Sequence, residues 1–404
     1  MTTPPPPDRM DGSDGLGDLT ALIGGNDRES DDRESNDRES DDRASDDHAT
    51  AGRASAVAAA GTAEQPLDDT PPTAAPRRRA WIGGTIAALL DRVGHLVEVT
   101  ARGDHLAAIR AEGLRLDGGW GTHTARVAAA ERLQTRPELA FVCTKAQDAE
   151  SAIRENADLL DGITVVIVQN GLAGLRLATE LLPGSDCVGA LALYAASYLS
   201  PGTVSVTTVN NTYLGAGDGE PPQAAVDAAH ILDAAMPSFA VDNFTGCQWR
   251  KLMVNQVNAM PAITGLSAQE TLGSRTLRPI ITASLQEAVR VGIARGVRFG
   301  SIQGLDDRIL RFVASSPRWV AQIVPLLMRG RMGATPNPGS TLQSIRRGQP
   351  SEIDYLNGAV AAEARASGGD APVNAALTGL VHDVEATGAF VTPAEVARRM
   401  QPLL

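Results

Sequence analysis

Residues 139–171 read LAFVCTKAQDAESAIRENADLLDGITVVIVQNG, and this stretch decides the fold. It predicts a buried strand over Leu139 to Thr144, a helix over Asp148 to Leu160 and a second strand over Ile163 to Val168. Strands rich in Val and Ile that alternate with helices of ten or more residues form parallel βαβ units. The sequence therefore predicts a doubly wound parallel sheet, in which ligands bind beyond the carboxyl ends of the strands.

The same alternation continues towards the N-terminus and stops towards the C-terminus. Helices are predicted over Thr85 to Val93 and Asp104 to Glu112, with a strand over Leu96 to Thr100 between them. Past residue 220 the apolar residues recur with helical period. The predicted helices there are Ala224 to Met236, Gln248 to Met260, Leu277 to Gly296, Asp306 to Ser315, Pro317 to Met328 and Ser351 to Ala366. We expect a Rossmann-like α/β domain over residues 77–220, followed by an all-α domain over residues 221–404.

The whole formal net charge of −12 lies in the first 76 residues. The 404 residues contain 36 basic and 48 acidic side chains, and residues 1–76 hold 18 of the acidic and 6 of the basic ones. Residues 26–45 repeat NDRES, DDRES, NDRES and DDRAS, with no apolar side chain larger than Ala. Such a segment cannot bury enough surface to offset chain entropy, so residues 1–76 are expected to be a disordered tail. It is either an acidic interaction arm or a solvated tail.

The neutral remainder and the cysteine pattern limit the function classes. A nucleic-acid surface needs an excess of Lys and Arg, so nucleic-acid binding is excluded as the main function. The cysteines Cys143, Cys187 and Cys247 have no CxxC spacing, which fits a reducing cytosol and no disulfide framework. No metal site is expected. The N-terminus lacks a signal-peptide pattern, and the longest apolar run is too short to span a bilayer. A cytoplasmic protein without membrane segments is expected.

Three polar side chains come directly after predicted strands: Arg102, Lys145 and Asn170. Arg102 follows Gly83 by about 20 residues, where a dinucleotide-binding fold places the residue that contacts the ribose. An arginine there can pair with a 2′-phosphate, which indicates NADP as the cofactor and not NAD. A solvated surface charge is the alternative for Arg102, and ordinary turn chemistry is the alternative for Asn170.

The segment WRKLMVNQVN at residues 249–258 is the most informative part of the helical half. It contains Lys251, Asn255 and Asn258 at spacings that stack them on one face of a helix. Lys251 is one of only two lysines among 36 basic residues, and lysine can release a proton near neutral pH where arginine cannot. A buried Lys-Asn-Asn face needs a partner for every polar group. It is either a proton-donating site or a structural hydrogen-bond network.

The segment SEIDYLNG at residues 351–358 supplies a carboxylate. Ser351 and Asp354 have the spacing of a capping box at a helix start, which leaves Glu352 without a structural role. A carboxylate that meets Lys251 would keep the ammonium charged and oriented.

Together these residues resemble the 2-dehydropantoate 2-reductases, also called ketopantoate reductases, from about Trp81 to Gly388. The matching motifs occur in the family's order. They are IGG at 82–84, Arg102, TKA at 144–146, QNG at 169–171, WRKLMVN at 249–255, TLQSIRRG at 341–348 and SEIDYLNG at 351–358. The resemblance implies NADPH-dependent reduction of ketopantoate to pantoate, a step of pantothenate and coenzyme A biosynthesis, or reduction of a related small 2-oxo acid. A homodimer is an assembly that the sequence leaves open.

The resemblance also assigns roles to individual residues. Lys251 would donate a proton to the carbonyl oxygen while NADPH delivers hydride, and Glu352 would be the second catalytic residue. The implied substrate-binding residues are Asn170, Asn255, Asn258 and Ser340. The implied NADP-contacting residues are Gly83, Arg102, Lys145 and Asn170.

The sequence departs from the family in three places. Aligning Gly83 with the third glycine of the family's G-x-G-x-x-G turn puts Arg78 and Ala80 at the other two. Residues 72–77 contain two prolines and cannot form the buried strand expected before that turn, so the first strand is doubtful. A substitute strand over residues 54–60 is a weak alternative because of the long connection.

The other two departures lie in the helical half. Asn258 follows Asn255 by three residues where the family usually has four, and Ser344 and Thr341 stand where aspartate and methionine are common. A catalytically impaired, non-enzymatic relative that keeps the fold and a ligand pocket is therefore the alternative to an enzyme. In a third hypothesis the acidic tail is the functional part and binds a basic partner.

Overall fold

The structure is a computed structural model that describes residues 53–57, 82–300, 307–333 and 335–404. The acidic repeat at residues 26–45 and the two substituted turn positions, Arg78 and Ala80, lie outside the described residues. The expectation of a disordered tail therefore stays an expectation.

The N-terminal part alternates strands and helices as the sequence predicts. In chain order these are β1 (Arg53–Val57), α1 (Ile82–Arg92), β2 (Leu96–Thr100), α2 (Gly103–Glu112), β3 (Leu114–Gly118), β4 (His123–Ala125), β5 (Ala128–Ala130), β6 (Leu139–Val142), α3 (Ala149–Glu155), α4 (Ala157–Leu160), β7 (Thr164–Val168), α5 (Ala173–Leu181), β8 (Asp186–Ala192), β9 (Ala195–Ser200), β10 (Thr203–Thr208), β11 (Thr212–Gly215), α6 (Gln223–Asp233) and β12 (Ser238–Ala240).

These strands form two sheets. The eight-stranded sheet has the order β12-β11-β8-β7-β6-β1-β2-β5 and is parallel from β8 to β5, with β11 antiparallel to β8. The four-stranded sheet has the order β4-β3-β10-β9. The expected Rossmann-like, doubly wound sheet is confirmed.

Both faces of the large sheet are covered, which explains why its strands are apolar without alternation. Phe141 of β6 and Val166 of β7 pack into one core cluster with α1. Their neighbours Val142 and Val165 point the other way, into a second cluster beneath α3, α4 and α5. Successive strand residues face opposite sides, so a strand buried on both faces is a continuous apolar run.

The first strand of the sheet is present, which corrects the expectation that it was doubtful. β1 lies between β2 and β6 in parallel register, with Ala54 opposite both Val97 and Leu139. It belongs to the segment that the sequence assigned to the tail, so the domain boundary at residue 77 is wrong for these five residues. The strand is held by backbone ladders on both sides, and such ladders do not require large side chains. Residues 58–81 connect it to α1.

The C-terminal part is helical. Its α-helices are α7 (Phe244–Asn255), α8 (Ala259–Thr264), α9 (Ala268–Gly273), α10 (Arg278–Ala294), α11 (Asp307–Ser315), α12 (Arg318–Ala321), α13 (Ile323–Arg331), α14 (Gly339–Arg346), α15 (Asn357–Ala366), α16 (Pro372–Thr387) and α17 (Pro393–Met400). Short 3-10 helices cover Gln256–Asn258 and Ile353–Tyr355. Nowhere in the described ranges is a helix long and apolar enough to cross a membrane.

The expected all-α domain from residue 221 onwards begins too early. β12 pairs in parallel with β11, and α6 packs Ala225 and Leu232 into the same core cluster as the sheet. A strand of only three residues, Ser238–Ala240, is too short to show a period in the sequence. The described residues from Phe244 onwards contain helices and no strand.

Candidate active site

The candidate site lies where the carboxyl ends of β6 and β7 meet the segment between α14 and α15. Lys145, which follows β6, donates from Nζ to Ser344 Oγ at 3.2 Å and to the Pro350 carbonyl at 2.8 Å. These contacts join the sheet directly to the helical part. Ser344 therefore contacts one of the implied cofactor-binding residues, at a position where the family commonly has an aspartate.

Glu352 is held from the sheet side. Its Oε1 accepts a hydrogen bond from the Ala146 backbone N–H at 3.2 Å, and its Oε2 accepts one from Asn170 Nδ2 at 3.3 Å. One of these donors follows β6 and the other follows β7. The carboxylate consequently bridges the ends of two adjacent strands. These ends lie side by side because parallel strands end at the same edge of a sheet.

Gly171 allows the backbone after β7 to approach the helical part closely. Its φ is +83°, in the left-handed region that favours glycine. A Cβ at this position would lie 2.5 Å from the Tyr355 carbonyl oxygen. The Gln-Asn-Gly turn therefore needs a glycine for two reasons, its positive φ and the close approach of the Tyr355 carbonyl oxygen. An ordinary turn would require only the first.

Gln169 ties the two strand ends together and has no assigned role in the sequence interpretation. Its Nε2 donates to the Thr144 carbonyl at 2.9 Å and to Thr144 Oγ1 at 3.2 Å. These bonds fix the spacing between the Thr-Lys-Ala and Gln-Asn-Gly turns. A glutamine after a strand gives no signal of such a contact, because its partner is mainly a backbone carbonyl.

Lys251 lies on α7 beside this cluster. It is partly buried, and its Nζ donates to the Ala192 carbonyl at the end of β8 at 2.8 Å. Burial lowers the pKa of Lys251 from 10.5 to about 8, and the negative charge of Glu352 opposes that fall. The neighbouring Leu252 and Met253 are buried in the core of the helical part, which fixes the orientation of the helix.

Lys251 and Glu352 interact through charge and not through a direct bond. No ion pair within 4.0 Å joins these two described side chains, and each has the other partners given above. Such an arrangement leaves Lys251 charged for most of its population at neutral pH, while a proton can still leave it at mildly alkaline pH.

Asn255, Asn258 and Ser340 form a second polar group. Asn258 Nδ2 lies 3.5 Å from Asn255 Oδ1 and 3.5 Å from Ser340 Oγ. α7 ends at Asn255 and continues as a 3-10 helix, in which side chains three residues apart eclipse one another. The tighter helix brings Asn258 into line with Asn255 although the spacing is one residue shorter than in the family. The predicted single helix over residues 248–260 is wrong in this respect.

Arg102 stands apart from these groups, beyond the end of β2. Its Nη2 forms an ion pair with Glu155 Oε2 at 2.5 Å, and the arginine side chain remains 38% exposed. Arg132 donates to the backbone carbonyl of the same Glu155. Glu155, which the sequence interpretation missed, therefore competes for the guanidinium that the sequence assigns to a 2′-phosphate.

The remaining residue that the resemblance assigns to the cofactor, Gly83, is buried in the first turn of α1. The donors at this edge of the sheet are a guanidinium, an ammonium and a carboxamide, from Arg102, Lys145 and Asn170 respectively. Cationic and amide donors suit the phosphates and the carboxamide of a nicotinamide dinucleotide. The described residues therefore fit that cofactor chemically.

Ser351 and Asp354 do not form the expected capping box. α15 begins at Asn357, and the 3-10 helix Ile353–Tyr355 precedes it. Asp354 pairs with His382 at 2.9 Å, and the backbone N–H of Ser351 donates to Glu385 at 2.8 Å. Tertiary contacts with α16 replace the local hydrogen bonds that the spacing suggested.

Comparisons with known proteins agree with this geometry. The family model described as ketopantoate reductase PanE/ApbA matches residues 81–219, and the model of its C-terminal part matches residues 243–385. The chain belongs to the ketopantoate reductase family. A 2-dehydropantoate 2-reductase from Archaeoglobus fulgidus is 27% identical over 306 residues, covering 75% of this chain and 95% of the relative. One from Pyrococcus horikoshii is 25% identical over 309 residues, covering 76% and 95%.

Solved structures show the same fold. A PanE/ApbA family ketopantoate reductase from Ralstonia eutropha JMP134 has a TM-score of 0.65 at 25% identity, and the match covers 82% of this chain and 98% of that one. A D-mandelate dehydrogenase solved with NADH and anilino(oxo)acetate also has a TM-score of 0.65, at 19% identity, covering 83% and 99%. The second likeness concerns the fold alone.

Proposed function

We propose that this protein reduces ketopantoate, or a related small 2-oxo acid, to the corresponding hydroxy acid with NADPH. The observation on which the proposal rests is the partly buried Lys251, whose pKa is about 8, within the electrostatic reach of Glu352. An enzyme of this kind needs a proton donor whose pKa lies near the working pH. The family's oxidoreductase chemistry supports the proposal.

A bound nicotinamide supplies the hydride in this reaction. As the substrate's carbonyl oxygen gains negative charge, the Lys251 ammonium stabilises that charge and donates a proton to the oxygen. Glu352 favours the charged form of Lys251 before the reaction. Ala146 and Asn170 hold the Glu352 carboxylate, so that its charge stays directed at the lysine.

The polar group of Asn255, Asn258 and Ser340 supplies substrate contacts in this proposal. Carboxamide N–H groups and a hydroxyl can donate to the carboxylate of a 2-oxo acid or to a hydroxyl on its carbon chain. Ser340 is exposed, and the bonds that join the three side chains are long, at 3.5 Å. A substrate can replace these weak bonds with shorter ones. Asn170, which donates to Glu352, would contact both substrate and cofactor.

NADP specificity is assigned to Arg102. Its guanidinium has five N–H donors, so it can bind a 2′-phosphate in place of, or in addition to, the Glu155 carboxylate. Lys145, Asn170 and Gly83 complete the proposed cofactor site.

The test measures NADPH oxidation by purified full-length protein with a panel of 2-oxo acids that includes ketopantoate. Oxidation should depend on the added acid, and Lys251→Ala should abolish it. Val254→Ala, an exposed position on the same helix, is the matched control and should keep the wild-type rate. Substrate-dependent turnover that survives Lys251→Ala within tenfold would contradict the role of Lys251. No turnover with any acid of the panel would contradict the function itself.

The competing function is a non-catalytic relative that keeps the fold. It is favoured by the sequence at the first two glycine positions of the family's phosphate-binding turn, where Arg78 and Ala80 stand and where glycine permits close approach to a pyrophosphate. A fluorescence titration with NADPH distinguishes the two functions. Micromolar binding removes the observation that favours the non-catalytic alternative, and the absence of binding at millimolar concentration supports it.

A further inference from the structure

His382 lies on α16, opposite the segment that contains Glu352, and bridges two carboxylates. Its Nε2 is 2.9 Å from Asp354 Oδ1, and its Nδ1 is 2.9 Å from Glu385 Oε2. Asp354 lies on the 3-10 helix and Glu385 lies on α16 itself. The imidazole therefore joins the helix to the segment.

Both contacts can be hydrogen bonds only when the ring is protonated. Ionised carboxylates only accept hydrogen bonds, whereas a neutral imidazole has one donor and one acceptor nitrogen. Burial alone would lower the pKa of His382, but the hydrogen bonds and charges of Asp354 and Glu385 outweigh it and raise the pKa above its usual value. The bridge consequently exists in the imidazolium state and loses one of its bonds on deprotonation.

The same bridge fixes the backbone on both sides of Glu352. Glu385 uses its other oxygen, Oε1, to accept the Ser351 backbone N–H at 2.8 Å. Asp354, on the far side of Glu352, is the other end of the bridge. Ile353, between them, is fully buried in the helical core. The backbone is thus held at Ser351, before Glu352, and at Asp354, two residues after it. Glu385 holds Ser351 and His382 holds Asp354, and Glu385 also bonds His382.

We propose that protonated His382 is a positioning residue, which orders the segment of residues 351–356 and thereby directs Glu352 towards Lys251. Its effect on reduction rests on the function proposed above. The folded His382 has a raised pKa, so the bridge is complete below the unfolded value of about 6.5 and is lost as the pH rises through the folded value. Deprotonation loosens the segment and weakens the support that Glu352 gives to the charged lysine.

The charged groups around the bridge are few. Asp354 and Glu385 are the ones that act on His382. On the side of the 3-10 helix, the charges of Asp354, Asp148 and Glu352 act on Tyr355. On the far side, Arg399 of α17 pairs with Asp383, the neighbour of His382. Among the described residues, His382 is the one positive charge that bonds both carboxylates of the bridge. Its deprotonation therefore removes that charge.

The first experiment needs no turnover. Proton NMR of the full chain between pH 5.5 and 9.5 gives the pKa of each of its six histidines, and His382→Gln assigns the signal. The His382 signal should titrate above pH 6.5, and Asp354→Asn should bring it down. His230→Gln, an exposed position on α6, is the control and should leave that signal unchanged. A His382 pKa at or below 6.5 in the wild-type protein would overturn the proposal.

Hydrogen exchange follows the segment itself. After correction for intrinsic exchange, protection of residues 351–356 should fall about two- to fivefold from pH 6 to pH 9, as expected for loss of a partly exposed ionic bond. His382→Gln should show the lower protection at every pH. His382→Arg keeps the positive charge at all these pH values and should keep the protection. Equal pH dependence in the wild type and in His382→Gln would show that the bridge does not order the segment.

The kinetic arm tests the link to catalysis. At pH 7, where the charged fraction of Lys251 depends on Glu352, His382→Gln should lower kcat by up to about twofold with little change in the KM for NADPH. The variant and the wild type should converge above pH 8.5. A variant whose alkaline limb stays at the wild-type pH would overturn the positioning role. A protein that turns over no 2-oxo acid would contradict the proposed reductase instead, and the exchange result would still decide whether the bridge exists.

Discussion

Removal of the negative charge at Glu352 should move the pH at which activity is lost. Burial and the charge of Glu352 act on Lys251 in opposite directions, and their balance gives a pKa of about 8. In Glu352→Gln only burial remains, so the pKa should fall further. An opposite charge within about 4–6 Å shifts a pKa by about 1–3 units. We take the lower end because the Lys251 ammonium bonds the Ala192 carbonyl and not the carboxylate.

A fall of about one unit has a measurable effect. With a pKa of about 8, Lys251 is roughly 90% protonated at pH 7 and roughly 10% protonated at pH 9. At pH 7.5 the protonated fraction should drop from about three quarters in the wild type to about one quarter in Glu352→Gln. Titration alone thus predicts about a threefold loss of kcat/KM at that pH, and the alkaline limb of the pH profile moves down by about one unit.

Two assays measure this shift. The first follows NADPH absorbance with a 2-oxo acid between pH 6 and pH 10. The second is carbon-13 NMR of reductively methylated protein, in which the chain contributes two lysine signals, from Lys145 and Lys251. Lys145→Arg assigns them. The NMR assay reports the pKa of Lys251 even if the protein is inactive.

Two outcomes would contradict the roles given to Glu352 and Lys251. If the Lys251 signal in Glu352→Gln titrates at the wild-type pH or higher, the carboxylate does not support the charged lysine. If the lysine pKa falls as expected but the alkaline limb stays in place, another group limits the rate and Lys251 is not the proton donor.

Three further substitutions test other contacts. Gly171→Ala should lower the free energy of unfolding by about 1–3 kcal/mol, measured by urea denaturation, because a Cβ there meets a carbonyl oxygen at 2.5 Å and φ is positive. Glu155→Gln should raise the affinity for 2′,5′-ADP about two- to fivefold, measured by calorimetry, because Arg102 loses a competing carboxylate. Unchanged affinity would mean that Arg102 does not bind the 2′-phosphate. Ser344→Asp should place a carboxylate against the Lys145 ammonium and raise the melting temperature at low salt, and 1 M NaCl should reduce the gain.

Much of the fold and of the candidate site follows from local sequence patterns. The strand Leu96–Thr100 has the predicted bounds. Its first residue is exposed and the four that follow are buried. The positions of Lys145 and Asn170 follow from the rule that parallel strands end at the same edge of a sheet. These features depend on period and order alone.

Other features depend on contacts between distant parts of the chain and have no local pattern. β1 has small residues, so its own sequence makes it only the weak strand candidate given above, and its place in the sheet is fixed by two neighbouring strands. The Ala192 carbonyl that accepts from Lys251 has no side-chain signature. Ser351 bonds Glu385, 34 residues away, in place of the helix start that its spacing suggested. In each case a tertiary hydrogen bond overrides the local preference.

The 24 residues between β1 and α1 have different consequences for stability and for ligand binding. Loop-closure entropy grows only with the logarithm of length, so replacing a turn of about four residues by 24 costs about 1.6 kcal/mol, which a domain of this size can tolerate. A short turn, however, also fixes the direction of its backbone amides, because the strand end and the helix start restrain it within a few bonds. The sheet of this chain forms with 24 residues between β1 and α1, so the stability of its fold does not depend on the short turn that would also align amides with a pyrophosphate.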